Sequence, residues 1–195
     1  MTCNDCHEIK LDAKTSATQA WLYNDYLKWK ANEGIMPQDK IWERIVNIMG
    51  GKKKKKTCVL ATSLNNKPLS TTVEYALDPE KKVLYSVSEK GTTKLNQIRN
   101  NPLVSVNWHR EFESKDFVDI LCIQFNGRAE LFDGTTQEFE EGLSIYPYEY
   151  GAEVQKIPVE KWKEIVKKAM IMTRITLDQV TITDGSLRKT DYRTS

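Results

Sequence analysis

The chain has 195 residues, of which 39% are hydrophobic and 29% charged, with a formal net charge of +2. That length holds one domain with additions and can bury a sizeable core. The balanced charge excludes the broad positive field of a nucleic-acid binder, and no apolar run reaches membrane-spanning length. Residues 1–30 begin polar and lack a signal-peptide hydrophobic region, so a cytoplasmic location is expected.

The first motif is Cys3-Asn4-Asp5-Cys6-His7. It matches the c-type haem attachment pattern, in which each thiol takes a vinyl group and His7 becomes an axial ligand. The same triplet could hold zinc or iron if a fourth ligand came from elsewhere. It could also act as a redox pair, or be a chance pattern in a polar terminus. Haem attachment of this type needs export, and no export signal is visible. Cys58 and Cys122 lie in apolar, strand-like surroundings and read as reduced, buried fillers.

Residues 16–31 carry helical spacing at Trp21, Leu22, Tyr26 and Trp29, with Ser16 or Thr18 as cap. A second helix is expected over residues 37–49, with an apolar side of Ile41, Trp42, Ile45, Ile48 and Met49. Gly50-Gly51 ends it. Residues 1–55 thus form an N-terminal extension with two helices, and residues 56–195 form the main domain. The run Lys52–Lys56 reads as a solvated connector before an edge strand, where lysines discourage sheet-to-sheet aggregation. A phosphate or nucleic-acid patch is the alternative.

From residue 57 strands dominate. TCVLATSL, the turn NNKP and LSTTVEYAL are followed by the turn DPEKK and VLYSVS. EKGTTKLNQIRNNP then enters a short helix, and VSVNW is the next strand. Residues 116–132 hold a long apolar run broken at Asn126-Gly127, where a bend or bulge is expected. A helix over 135–145 has Thr135 as cap and Glu138 in capping-box spacing. Tyr146 to Tyr150 reads as an aromatic loop. Pro158 opens a helix through Lys168, Ile171 to Thr183 alternates as a last strand, Asp184-Gly185 turns, and the polar tail is expected to fray. The first strands are joined by turns too short for crossover helices. The fold expected is α+β, an antiparallel six-stranded barrel with flanking helices.

Chemistry-bearing residues collect at strand ends. Ser70, Thr71 and Thr72 lie on the second strand, Ser86 and Ser88 end the third, and Gly91, Thr92, Thr93 and Lys94 open the next helix. A helix start offers unpaired amides, hydroxyls donate to phosphate oxygens, and lysine adds a point charge. An N-cap with a solvated lysine is the plainer alternative. No P-loop or dinucleotide fingerprint is present.

The segments VLATSLNNKPLSTTVEYALD, LYSVSEKGTTKLNQIRNNPLVSVNW and ITLDQVTITDG together resemble the FMN-binding split-barrel proteins, the pyridoxamine 5'-phosphate oxidase-like superfamily. The resemblance covers roughly Lys56 to Gly185, and general-stress-type members look closer than the vitamin-forming oxidases. It implies a split barrel, FMN as cofactor, and a homodimer with FMN at the interface acting on a small organic substrate. The helix ending Asn101-Pro102 places Lys94 on the lysine that grips the flavin phosphate. Thr92 falls where members carry serine or threonine, Thr93 where many carry arginine, and Thr71 near a second-strand arginine. The backbone around Thr72 and Val73 would lie along the flavin ring. Trp108, His109, Gln124 and the Tyr146–Tyr150 loop would line the ring or a substrate pocket. Trp108 reads equally as a barrel-rim residue, His109 as a solvated strand end, and Gln124 as an amide bonded to backbone. Two phosphate arginines of the family and its C-terminal Arg-x-His substrate motif are absent. No nucleophile is expected, because a flavin carries the redox step. The expected activity is an FMN oxidoreductase. The alternatives are a non-catalytic flavin or haem binder and a metal-bearing electron carrier using Cys3, Cys6 and His7.

Overall fold

The computed structural model describes residues 38–110 and 121–184, and the backbone of 188–193. The motif at Cys3, Cys6 and His7, the helix expected over 16–31 and the turn at Gly185 lie outside these residues. Helix α1 (Gln38–Met49) turns Ile41, Ile45 and Met49 inward and ends at Gly50 and Gly51, both at positive φ. Strands β1 (Lys56–Leu64), β2 (Lys67–Asp78) and β3 (Val83–Glu89) follow, then α2 (Thr93–Asn100) and β4 (Leu103–His109). After β5 (Cys122–Asp133) come α3 (Gln137–Ile145), α4 (Glu149–Gln155) and α5 (Val159–Ala169), and then β6 (Met170–Asp184) and β7 (Arg188–Arg193).

All pairings are antiparallel, in the order β3-β2-β1-β4-β5-β6-β7, and β3 also pairs with β6. That last pairing closes a six-stranded barrel, flanked by five helices among the described residues. Strand β6 is long enough to serve two partners on one edge while β5 lies along the other: Met170–Thr176 pairs with β3, and Gln179–Asp184 pairs with β7. The expected fold is therefore observed, with one strand added where a frayed tail was expected. The bend at Asn126-Gly127 is a register shift against β6. A Cβ on Gly127 would stand 2.1 Å from the Thr176 carbonyl oxygen, which is why that position takes glycine.

Two apolar clusters form. The barrel interior holds Leu60, Tyr75, Leu77, Leu84, Val106, Ile123, Phe125 and Ile175, joined by the inward face of α1 and by Ile98 of α2. A second cluster lies under α3, between Ala76, Tyr85 and Met172 of the sheet and Phe139, Leu143 and Val166 of the helices.

Three local expectations change. Thr136, not Thr135, caps α3: its hydroxyl accepts from the Phe139 amide, while Thr135 is held by the Asp133 carboxylate. The aromatic loop runs into helix α4, whose Gly151 lies against the Trp162 indole. The lysine run does not precede an edge, because β1 lies between β2 and β4. Its members act as ties. Lys52 reaches Asp78 and Glu80, Lys55 bonds Glu74 at 2.6 Å, and Lys53 donates to the carbonyls of Leu143 and Tyr146 and to Glu149. Lys56 sits over the Trp108 ring, 5.8 Å from its centroid.

Candidate functional site

The β2–β3 ladder is short. It holds three pairs, ending at Ala76 opposite Tyr85. Beyond that point, among the described residues, Ser86–Glu89 pairs only with β6, and Lys67–Tyr75 only with β1. A seam therefore opens between the two strands, and α2 follows β3 in the chain after a short turn. Side-chain alternation settles which groups face it. Leu60 and Thr62 of β1 are buried on the barrel's inner face, so their partners Thr71 and Leu69 share that face. On β3, buried Leu84, Ser86 and Ser88 point inward in the same way.

Four buried side-chain oxygens lack a hydrogen-bond partner among the described residues: those of Thr71, Tyr75, Ser86 and Thr92. Thr71, Tyr75 and Ser86 belong to the two strands that flank the seam and Thr92 to the start of α2, with Tyr75 packed in the barrel core. A buried hydroxyl without a partner costs about 1–3 kcal/mol, so native proteins rarely keep several together. Thr92 is the N-cap of α2, yet its side chain makes no capping bond. Its hydroxyl is thus withheld from the helix amides that threonine caps normally satisfy. Lys94 follows, half-buried and without an ion pair among the described residues. Helix α2 is fixed in place by its own Gln97, whose side-chain oxygen accepts from the Thr62 hydroxyl at 2.5 Å. Neither Thr62 nor Gln97 stands out in the sequence. Their only signal is alternation, which turns Thr62 inward beneath a helix that must meet it.

The structure brings Thr71, Ser86, Ser88, Thr92 and Lys94 to this seam, with Thr93 exposed on the first turn. Val73 is buried on the inner face beside Cys58, whose thiol burial pushes up to about 12. That thiol is protonated and inert at neutral pH.

Thr72 points the other way. On the outer face, Thr72 faces Val59, Val59 faces Asn107, and Asn107 faces Gln124, a single row across four strands. A cleft of about 370 Å³ opens there, lined by Val59, Thr72, Asn107, Trp108 and His109 among others. Gln124 is exposed, and its amide donates to Ser105 and Asn126 at 3.3 Å each rather than to backbone. Tyr146 of the expected aromatic loop is buried and donates to Glu74 at 3.4 Å. A larger hollow of about 680 Å³ lies by the turn before α3, but its Glu140 is already paired with Lys163 and Lys167. Among the described residues no group of histidine, cysteine and carboxylate side chains could hold a metal ion, and no helix is long and apolar enough to cross a membrane.

The fold is shared with solved proteins. General stress protein 26 from Bacillus anthracis is 21% identical with a TM-score of 0.52, over 78% of this chain and 98% of that one. A protein related to general stress protein 26 from Clostridium acetobutylicum is 10% identical with a TM-score of 0.54, over 82% and 97%. A haem-binding protein from Mycobacterium smegmatis is 14% identical with a TM-score of 0.53, over 70% and 52%. No curated protein matches the chain. The family model described as pyridoxamine 5'-phosphate oxidase matches residues 47–183, which span both the seam and the cleft, and the chain therefore belongs to the pyridoxamine 5'-phosphate oxidase-like family.

Proposed function

We propose that the protein is an FMN-dependent oxidoreductase acting on a small organic molecule, working as a homodimer. The observation that carries this reading is the set of unpartnered hydroxyls of Thr71, Ser86 and Thr92 around the start of α2. Hydroxyls that lack an acceptor fit a group rich in acceptors, and a phosphate is such a group. Rotation about the Cβ–Oγ bond lets each hydroxyl aim its proton. Lys94 adds a cation, and the first-turn amides of α2 add donors aligned with the positive end of its dipole.

Bound flavin would supply hydride and electron transfer. The chain's part is to hold and shield it. Among the described residues, backbone groups of β2 between Lys67 and Tyr75 have no partner strand on the seam side, so they would be available to a ring laid along that edge. The outer-face cleft, with Thr72, Asn107, Trp108 and His109, would then take the substrate or the ring's far edge. A second copy would cover the outer face, whose side chains are small at Ser70, Ala61 and Ser105 and polar at Ser70, Ser105 and Asn126.

The ultraviolet-visible spectrum of freshly purified protein tests the reading. Flavin bands that disappear in Lys94→Ala are expected. A colourless protein that takes up no added FMN would end it. The haem alternative is favoured by the similarity to a haem-binding protein and by the pattern at Cys3, Cys6 and His7. A Soret band lost in Cys3→Ser/Cys6→Ser would select it. Bound flavin without NAD(P)H consumption would select the non-catalytic binder.

A further inference from the structure

The cleft on the outer face has its cause in the sheet. The β1–β4 ladder holds three pairs, from Ala61 opposite Ser105 to Val59 opposite Asn107. Past Val59, among the described residues, residues 56–58 pair only with β2, and Trp108 and His109 pair only with β5. The two strands part there. The cleft of about 370 Å³ is lined by Thr57, Val59, Asn107, Trp108 and His109 from the parted ends, with Thr72 beside them. No acidic side chain is among the described residues that line it. The acid opposite Thr57 in the ladder, Glu74, is already held by Lys55 at 2.6 Å and accepts from Tyr146. Lys56 is half-buried at the rim. Its ammonium lies over the Trp108 ring, and its charge works against the burial that raises the Cys58 thiol, and both of these groups line the cleft. Lys52, Lys53 and Lys55 each meet a carboxylate. Lys56 meets none among the described residues. A ring face attracts its charge and leaves the ammonium's three donors unused.

We propose that this cleft is the subsite for a small aromatic organic acid, whose carboxylate meets Lys56 and whose ring lies against Val59 and Trp108. Calling the acid a substrate rests on the oxidoreductase reading, whereas its binding does not. Charge comes first. A lysine without an acidic partner, at the rim of a cleft without an acid in its lining, favours an anion. The number of cations sets how much charge. One ammonium balances one negative charge, which suits a carboxylate better than a phosphate dianion. A carboxylate also has two oxygens. One can face the ammonium and the other the cleft's neutral donors, the Asn107 amide and the hydroxyls of Thr57 and Thr72. Size and lining fix the rest. Small-molecule pockets run from roughly 300 to 1,000 Å³, so a cleft near the lower end holds one ring and a short side chain. Val59 and Trp108 supply its apolar surface.

The test uses the full-length protein and two probes of one shape, trans-cinnamate and its neutral amide, cinnamamide. Binding is followed by calorimetry and ligand-observed NMR, first without flavin and then with FMN added. Cinnamate is expected to bind more tightly than cinnamamide by about fivefold, the effect of one partly exposed ion pair, and the difference should shrink as salt is added. Lys56→Met, which keeps the apolar stem, should erase that preference and leave cinnamamide unchanged, while Lys56→Arg should retain it. Asn107→Asp places an acid in the lining and should weaken cinnamate alone. Equal affinity for the two probes, no binding of cinnamate, or a Lys56→Met protein that keeps the preference would each overturn the proposal. Loss of cinnamate on loading with FMN would overturn it too, by giving the cleft to the ring. The two readings fail differently. Cinnamate held through Lys56 with no uptake of FMN removes the flavin reading and leaves the organic-acid subsite standing. FMN bound while cinnamate and cinnamamide bind alike removes the subsite and leaves the flavin.

Discussion

The insert of helices α3 to α5 and the seam between β2 and β3 treat buried polar groups in opposite ways. In the insert, partners are supplied. The Lys53 ammonium serves the carbonyls of Leu143 and Tyr146, the Thr136 hydroxyl takes the Phe139 amide, and the Trp162 indole donates to the Tyr148 carbonyl at 2.9 Å. On the strands of the seam and at the start of α2, four hydroxyls lack a partner among the described residues. Both regions lie against the same barrel, so the difference is not one of general packing quality. A region whose polar groups are matched within the chain is finished as it stands. One that leaves several donors unmatched within the chain is open to partners from outside it, water or a ligand.

The comparison breaks first if the two regions are not independent. Phe139 is fully buried in the cluster beneath α3. Phe139→Ala should cost about 3–5 kcal/mol of unfolding free energy, because it removes a large side chain and leaves a cavity. Urea titration would measure that loss. Protein still folded in buffer should bind FMN as before, and a parallel loss of binding would show that the insert shapes the seam. Lys53→Met comes next. It strands two carbonyls at the end of α3 and removes the pair with Glu149, so a loss of about 1–3 kcal/mol is expected. A change near zero would mean that Lys53 is as dispensable as an ordinary exposed lysine.

The barrel was legible because its strands alternate, its turns are short, and Asn126-Gly127 marks the bulge. The seam was half legible. Ser86, Thr92 and Lys94 stand at strand and helix ends, where residue type alone suggests anion binding. That Thr92 forgoes its capping bond while Thr136 makes one depends on side-chain torsion, which sequence does not report. Gln97 and Thr62 were hidden, since each looks ordinary in its own element and matters only through the other. Tyr75 was hidden for a related reason: its phenol sits in an apolar run that reads as core. The lysine run misled, because its acidic partners Glu74, Asp78, Glu80 and Glu149 are scattered along the chain. The polar residues that form β7 carry no burial signal of their own, so sequence alone suggests a frayed tail there.

The seam also predicts an unusual sign. Deleting a satisfied hydroxyl destabilises a protein, whereas deleting a stranded one removes a desolvation penalty. Tyr75 is 1% exposed and its phenol oxygen is among the unpartnered four. Tyr75→Phe should therefore raise stability by about 1 kcal/mol, a rise in Tm of about 2–4 °C for a chain of this size. Ser86→Ala should move ligand-free protein the same way and weaken FMN binding at once. Stability lost in both variants, by thermal melting, would mean that ordered water already satisfies these oxygens.

The smallest effect belongs to the insert and concerns pH. Glu140 accepts from Lys163 and Lys167, and these hydrogen bonds hold its carboxyl below the ordinary value of 4.5. A carboxylate whose folded pKa is depressed contributes stability that is fully present above the unfolded value and fades as pH falls through the folded one. The site is partly exposed, so screening limits the gain to about 0.2–1 kcal/mol. Glu140→Gln should therefore melt below the parent at neutral pH, and the gap should close below pH 4.5 as the parent's carboxylate takes up its proton. The seam's hydroxyls do not titrate in this range, so Ser86→Ala should keep a constant offset from the parent over the same interval. If the Ser86→Ala offset instead followed pH as the Glu140→Gln one does, the seam would be coupled to a titrating group, and its contrast with the insert would fail.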